Sequence, residues 1–281
     1  RDSSYRKTTL RPTGPATLEA TEAAIADALP GSGSTIIMFI GHGDRGESPN
    51  QNSIRLWGGW PLSVVDLATL LDAAPPERRT IVVSTTCFSG GMAELIYRGA
   101  DGAQGPSEVD RCGLFASPWD LVATGCDPDP NRRAQEGYGL HFLGALKGQD
   151  RDGQALPLAT LDLDKDGRIS LLEAHTRVRI ASRSGDVPTT TSERWLRHVG
   201  LVAGSQADVA LPEEDAVIEA MARQLGLAGK VETARGMFEA AEQTLSQTDA
   251  DVRAARERED EEAARVAAAL LARWPVLDDP W

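Results

Sequence analysis

An α/β fold with a mostly parallel sheet, extended by an α-helical C-terminal region, is what this sequence predicts, on three observations. Two short apolar runs, 35–40 (TIIMFI) and 81–83 (IVV), are bounded by Gly or small polar residues, as buried strands are. Between them, 62–74 (LSVVDLATLLDAA) carries apolar residues at helical spacing, with Pro61 before it and Pro75 and Pro76 after it. Strand, helix and strand in that order place the two strands parallel and side by side. Beyond about residue 204 the chain becomes rich in Ala, Glu, Arg and Leu, so 1–204 is read as one domain and 205–281 as an acidic helical region.

The remaining elements follow from the same cues. Residues 5–10 (YRKTTL) read as a strand, and 16–29 as a helix with Leu18, Ile25 and Leu29 on one face, stopped by Pro30 and Gly31. The polar, Gly-rich stretches 45–60, 98–111 and 182–194 read as loops. A length of 281 residues suits one large domain or one domain with an appendage. No apolar run nears the roughly 18 residues of a membrane span. The chain opens on Arg1, and its localisation is left open.

Chemistry enters at the strand ends. The first run breaks into Gly41, His42, Gly43 and Asp44, and the second runs through Thr85 and Thr86 into Cys87, Phe88, Ser89, Gly90 and Gly91. Groups at the carboxyl ends of neighbouring parallel strands meet in one crevice. An imidazole there activates a thiol as a nucleophile, and Gly43 with the turn 87–91 offers backbone N–H groups to an oxyanion. The competing reading is an inert thiol and a loop histidine; the position of both residues at strand ends beside Gly or Ser favours catalysis.

His-Gly after one apolar strand (GHGD, 41–44) and Cys with Ser-Gly after the next (TCFSGG, 86–91) resemble the caspase and legumain clan of cysteine peptidases, most of all its legumain-like branch and bacterial relatives. Residues 121–126 (LVATGC) resemble that family's next strand and 134–146 its following helix, so the resemblance covers roughly residues 5–200. It implies a caspase-like three-layer sandwich acting as an endopeptidase on a protein or peptide substrate. Cys87 would be the nucleophile and His42 the general acid and base, with the N–H groups of Gly43 and Cys87 as oxyanion hole. The family's first strand and helix have no counterpart ahead of residue 5, so a separate N-terminal segment is expected to complete the sheet. Self-cleavage in 45–60 or 98–111 is a further implication. Relatives that cut after basic residues tend to carry an acid just before the nucleophile; here Thr85 and Thr86 stand there, leaving Asp44, Asp120, Asp127 and Asp129 as sources of negative charge. Two rival functions use the same residues: a transpeptidase or ligase, and a calcium-responsive binding protein on an inactive peptidase fold.

A second motif lies at 162–173 (DLDKDGRISLLE). Asp162, Asp164 and Asp166 occupy positions 1, 3 and 5 of a twelve-residue calcium loop, with Gly167 at the turn and Glu173 closing the shell. The Arg168 carbonyl and Ser170 would complete the donors to Ca2+. A helix over 171–180 follows, but 154–160 contains Pro157 and no helix; an acidic turn capping the next helix is the alternative.

Cys112 and Cys126 admit either a disulfide or two reduced thiols. His141, His175 and His198 lack partners at metal spacing and read as packing or surface residues. The tail from 205 carries 17 acidic and 8 basic residues, which argues against nucleic acid as a partner. Three helices are expected, near 213–226, 229–246 and 249–274, with Val217, Met221 and Leu225, then Val266, Leu270 and Trp274, as apolar stripes.

Overall fold

The computed structural model describes residues 12–125, 136–199, 211–224 and 234–273. The chain divides into two compact units, Arg1–Val217 and Ile218–Trp281. In the first, helix α1 (Leu18–Ala28) is capped by the Thr17 hydroxyl, which accepts the Ala20 N–H at 3.4 Å. It leads into β1 (Gly33–Phe39), after which β2 (Gly43–Asp44), β3 (Ser53–Ile54) and β4 (Leu62–Ser63) form a small antiparallel sheet. Helix α2 (Val64–Asp72) starts at the Ser63 cap, and β5 (Arg78–Ser84) follows. A 3-10 segment (Ser89–Ile96), β6 (Arg111–Phe115), α3 (Tyr138–Leu146), α4 (Leu171–Ala181), β7 (Thr189–Thr190) and α5 (Thr191–Val199) complete it.

The main sheet has the order β1-β5-β6-β7, with the first three strands parallel and β7 antiparallel to β6. Side chains alternate between its faces with the period of two that a pleated strand imposes. Phe39, Val82 and Phe115 pack with Ile25, Leu29, Leu67 and Leu71 of the α1 and α2 side. Val83 and Leu114 turn the other way and pack with Tyr138, Phe142, Ala174 and Val178 of α3 and α4. The result is a sheet flanked by helices on both faces. Each fully buried Leu or Phe contributes about 1.5–3 kcal/mol of burial free energy.

Several expectations are corrected. Residues 121–125 are irregular, and the strand beside β5 is β6 at Arg111–Phe115, which begins at the last residue of the stretch read as a loop, 98–111. Arg111 and Gly113 hid its apolar pattern. The Arg111 guanidinium is buried against the carbonyls of Leu95 and Tyr97 and lies 2.9 Å from Asp72, and a Cβ at residue 113 would overlap the Phe115 ring. Leu121 and Val122, which made 121–126 look like a strand, are 50% and 63% exposed. The loop at 182–194 ends early, because Thr190 and Glu193 form a capping box that starts α5.

Cys112 is a free thiol, and Cys126 lies outside the described residues. The strand expected at 5–10 lies outside them too. The described strands form a sheet without an internal gap, and β1 is its edge among the described residues.

Helix α6 (Pro212–Gln224) is followed by one helix, α7 (Ala234–Arg273), where two were expected. No Gly or Pro interrupts the chain between 246 and 249, and the helix runs through. Val217 is buried, whereas Met221, Val266 and Leu270 are exposed; Leu225 and Trp274 lie outside the described residues. No helix among the described residues is long and apolar enough to cross a membrane.

Candidate active site

The register of the sheet juxtaposes the two strand ends. β1 and β5 pair from Gly33 with Arg78 to Phe39 with Ser84, a constant offset of 45 residues. That same offset separates His42 from Cys87, so each stands three residues past the last pair. The Thr85 N–H continues the pairing onto Phe39 O at 3.0 Å. Contact follows one residue on: a Cβ at Gly43 would overlap the Cys87 carbonyl oxygen and lie 3.1 Å from Thr86 Oγ1. Only glycine permits the two chains to approach this closely.

Cys87 is half-buried, and its Sγ accepts the Ala123 N–H at 3.4 Å. His42 is exposed, and its carbonyl accepts the Arg55 N–H at 3.0 Å. Antiparallel pairs alternate, so a bonded His42 and Arg55 pair makes the next pair, Gly43 with Ile54, a non-bonded one. The Gly43 N–H is therefore turned away from β3. The Cys87 N–H has no acceptor among the described residues. Both expected oxyanion donors are thus left open by the local pairing. The rest of the turn is committed elsewhere: Phe88 N–H donates to Leu121 O at 2.9 Å and Gly91 N–H to Phe88 O at 3.0 Å. Gly91 serves close packing, since a Cβ there would lie 2.6 Å from Asn52 Nδ2.

Sequence reasoning missed the residue that ties these loops together. Asn52 is 2% exposed. Its Nδ2 donates to Phe88 O at 2.9 Å and to Trp119 O at 2.6 Å, and its Oδ1 accepts the Gly46 N–H at 2.9 Å. It joins the loops that follow β1, β5 and β6. Phe88, directly after Cys87, has a φ of 60°, a left-handed conformation costly for a bulky residue. The bond from Asn52 to its carbonyl helps to hold it. A polar residue inside a loop gave no sequence signal for such a role.

Beside the dyad a cleft of about 360 Å³ opens, lined by residues 40–42, Thr85, Thr124, Gly125 and Gly137–Gly139. Tyr138 forms part of its wall and is itself buried. Its hydroxyl meets His175 Nδ1 at 2.8 Å on the protein side. Burial first, and the Arg179 cation second, push the His175 imidazole down to about 3, so it is neutral, while burial pushes the Tyr138 hydroxyl up. Of the other histidines, His141 Nε2 lies 2.7 Å from Glu136, and His198 packs edge-on to Tyr97 at 5.4 Å. Asp44, one proposed source of negative charge, pairs with Arg55 Nε at 3.1 Å, and Asp127 and Asp129 lie outside the described residues.

The 162–173 loop has the backbone its motif requires. Lys165 and Gly167 have φ of 64° and 83°, and carboxylate oxygens of Asp162, Asp164 and Asp166 lie within 4.8 Å of one another. Asp162 Oδ2 accepts the Gly167 N–H at 3.0 Å, Asp164 Oδ1 that of Asp166 at 3.0 Å, and Asp166 Oδ1 that of Arg168 at 2.8 Å. Asp162 Oδ1 is buried with no partner. Glu173 is buried and forms a capping box with Ser170: Oε2 accepts the Ser170 N–H at 2.7 Å, and Oε1 that of Leu163 at 2.6 Å. Oε1 also accepts the Asp164 N–H at 3.5 Å, so the second lone pair left open is that of Oε2. Glu213 also stands within reach of Asp164 and Glu173.

What these features define is an α/β protein with a Cys and His pair at the carboxyl edge of a parallel sheet. No family model and no curated protein matches the chain. Among solved structures it is similar to the crystal structure of protein GSU0716 from Geobacter sulfurreducens, with 17% sequence identity and a TM-score of 0.37, over 62% of this chain and 72% of that one.

Proposed function

We propose that this protein is a cysteine endopeptidase of the caspase and legumain type, with Cys87 as nucleophile and His42 as general acid and base. The observation that carries the reading is the shared register of His42 and Cys87, with Gly43 packed on the Cys87 carbonyl. The Cys87 thiolate attacks the scissile carbonyl carbon, a C–S bond forms, and the carbonyl electron pair moves to oxygen. The N–H groups of Cys87 and Gly43 receive that oxyanion. Protonated His42 gives its proton to the leaving amine as the C–N bond breaks, then takes one from the water that hydrolyses the thioester and frees the thiolate.

The test is hydrolysis of a fluorogenic peptide library by the wild-type chain, Cys87→Ala and His42→Ala. Turnover that both substitutions abolish is the expected result; turnover that survives Cys87→Ala refutes the mechanism. Product masses separate hydrolysis from peptide joining. The mass of the Cys87→Ala chain beside the wild type reads self-cleavage in 45–60 or 98–111.

Calcium at 162–173 belongs to the same proposal. The unpartnered, buried Asp162 Oδ1 and the left-handed residues at 165 and 167 support it. Asp162, Asp164 and Asp166 with the Arg168 carbonyl would hold the ion, Ser170 would add a donor directly or through water, and Glu173 would do so through the free lone pair of Oε2. Bound there, calcium would brace the start of α4, whose Val178 and Ala174 pack in the same core as Tyr138.

A further inference from the structure

We infer that the cleft beside His42 is a subsite for an uncharged, apolar side chain, that of the substrate residue preceding the scissile bond. The inference rests on Cys87 being the nucleophile. It follows from where the polar atoms of the lining point. Three lining side chains carry hydroxyls, and each hydroxyl has a partner outside the cleft. Thr85 Oγ1 donates to Phe39 O at 3.4 Å, Thr124 Oγ1 to Asp186 Oδ1 at 2.8 Å, and the Tyr138 hydroxyl meets His175.

What remains for a ligand is methyl groups, an aromatic ring, the exposed Ile40 side chain, and backbone at Gly125, Gly137 and Gly139. The Thr85 methyl carbon is the atom a Cβ at Gly139 would meet, at 3.6 Å. Two ionisable side chains line the wall among the described residues: His42, which is needed for proton transfer, and Tyr138, whose hydroxyl burial keeps neutral. Asp186 is turned onto the N–H and the hydroxyl of Thr124, Asp44 pairs with Arg55, and His175 behind Tyr138 is neutral.

A Lys, Arg, Asp or Glu side chain entering this cleft loses water and meets no carboxylate or cationic side chain of Lys or Arg on its wall among the described residues, which is unfavourable. A Leu, Met or Phe side chain buries apolar surface at no such cost. The glycines set the width: a volume of about 360 Å³ accepts a branched or aromatic side chain.

The experiment uses the full chain and a set of peptide acyloxymethyl ketones that differ only in the residue next to the warhead: Ala, Leu, Phe, Arg, Lys and Asp. The rate of covalent labelling at Cys87 is read by mass. Leu or Phe is expected to label about 100-fold faster than Arg, Lys or Asp. Gly139→Leu, which projects a side chain into the cleft from a helix that gains by losing a glycine, should slow Leu and Phe at least tenfold while leaving Ala within a few-fold. Faster labelling by a charged residue, or a Gly139→Leu profile equal to wild type, overturns the subsite and leaves the nucleophile intact. Absence of Cys87 labelling by every probe overturns the nucleophile, and the subsite with it.

Discussion

Removing the Asn52 side chain tests whether the nucleophile turn is held from outside. Asn52→Ala strands three buried groups at once, the carbonyls of Phe88 and Trp119 and the N–H of Gly46, now bonded at 2.9, 2.6 and 2.9 Å. Each unpaired buried group costs about 1–3 kcal/mol, and a water entering the vacated space recovers part of that, which leaves a net loss of about 2–4 kcal/mol. The second consequence is local. Phe88 holds a left-handed conformation costing about 1–3 kcal/mol, and without its carbonyl partner the turn after Cys87 relaxes. Misplacement of the sulfur should lower kcat about 10- to 100-fold with little change in KM, because substrate binding sites are untouched. Urea unfolding followed by tryptophan fluorescence gives the first quantity, and peptide hydrolysis the second. Asn52→Asp keeps the shape but sets an oxygen against two carbonyls, and should do no better. An Ala variant that loses under about 1 kcal/mol, or keeps wild-type kcat, would show that the turn holds itself.

Three other outcomes follow from the structure. Gly43→Ala overlaps the Cys87 carbonyl oxygen, so it should destabilise the fold and cut the rate of Cys87 labelling by more than tenfold; a variant with wild-type labelling refutes the close approach. His175 is held neutral with its value lowered to about 3, against about 6.5 when unfolded. The stability it lends is therefore complete above about pH 6.5 and falls by about 1.4 kcal/mol per pH unit down to about pH 3, because only the unfolded chain takes the proton. His175→Gln should flatten the urea midpoint against pH in that window, and an unchanged slope would contradict the assignment. Saturating Ca2+ should raise the melting temperature, by the equivalent of about 2.7 kcal/mol at a hundredfold excess over Kd. Asp162→Asn should abolish the shift while Mg2+ fails to reproduce it; an equal shift in the variant excludes the 162–173 loop.

How much of this was legible depended on how local each signal is. The β1, α2 and β5 unit could be read directly, since apolar spacing and flanking Pro and Gly residues are properties of adjacent positions. β6 could not. Its Arg111 is a charge that finds four partners only after residues 68, 72, 95 and 97 have been brought around it. The long helix α7 was divided in two, although no Gly or Pro breaks the chain between 246 and 249.

The candidate site divides in the same way. Sequence alone determined the chemical repertoire: a thiol and an imidazole after two apolar runs, glycine on both sides of the imidazole, and three aspartates at calcium-loop spacing. Tertiary structure decided what those groups face. It set the 45-residue register that aligns His42 with Cys87, the partners that take up the hydroxyls of Thr85, Thr124 and Tyr138 along the cleft, and the crossing of three loops at Asn52. The physical reason is that residue types and spacing are carried by the chain itself, whereas the partner of each buried polar atom is chosen only when distant segments close around it.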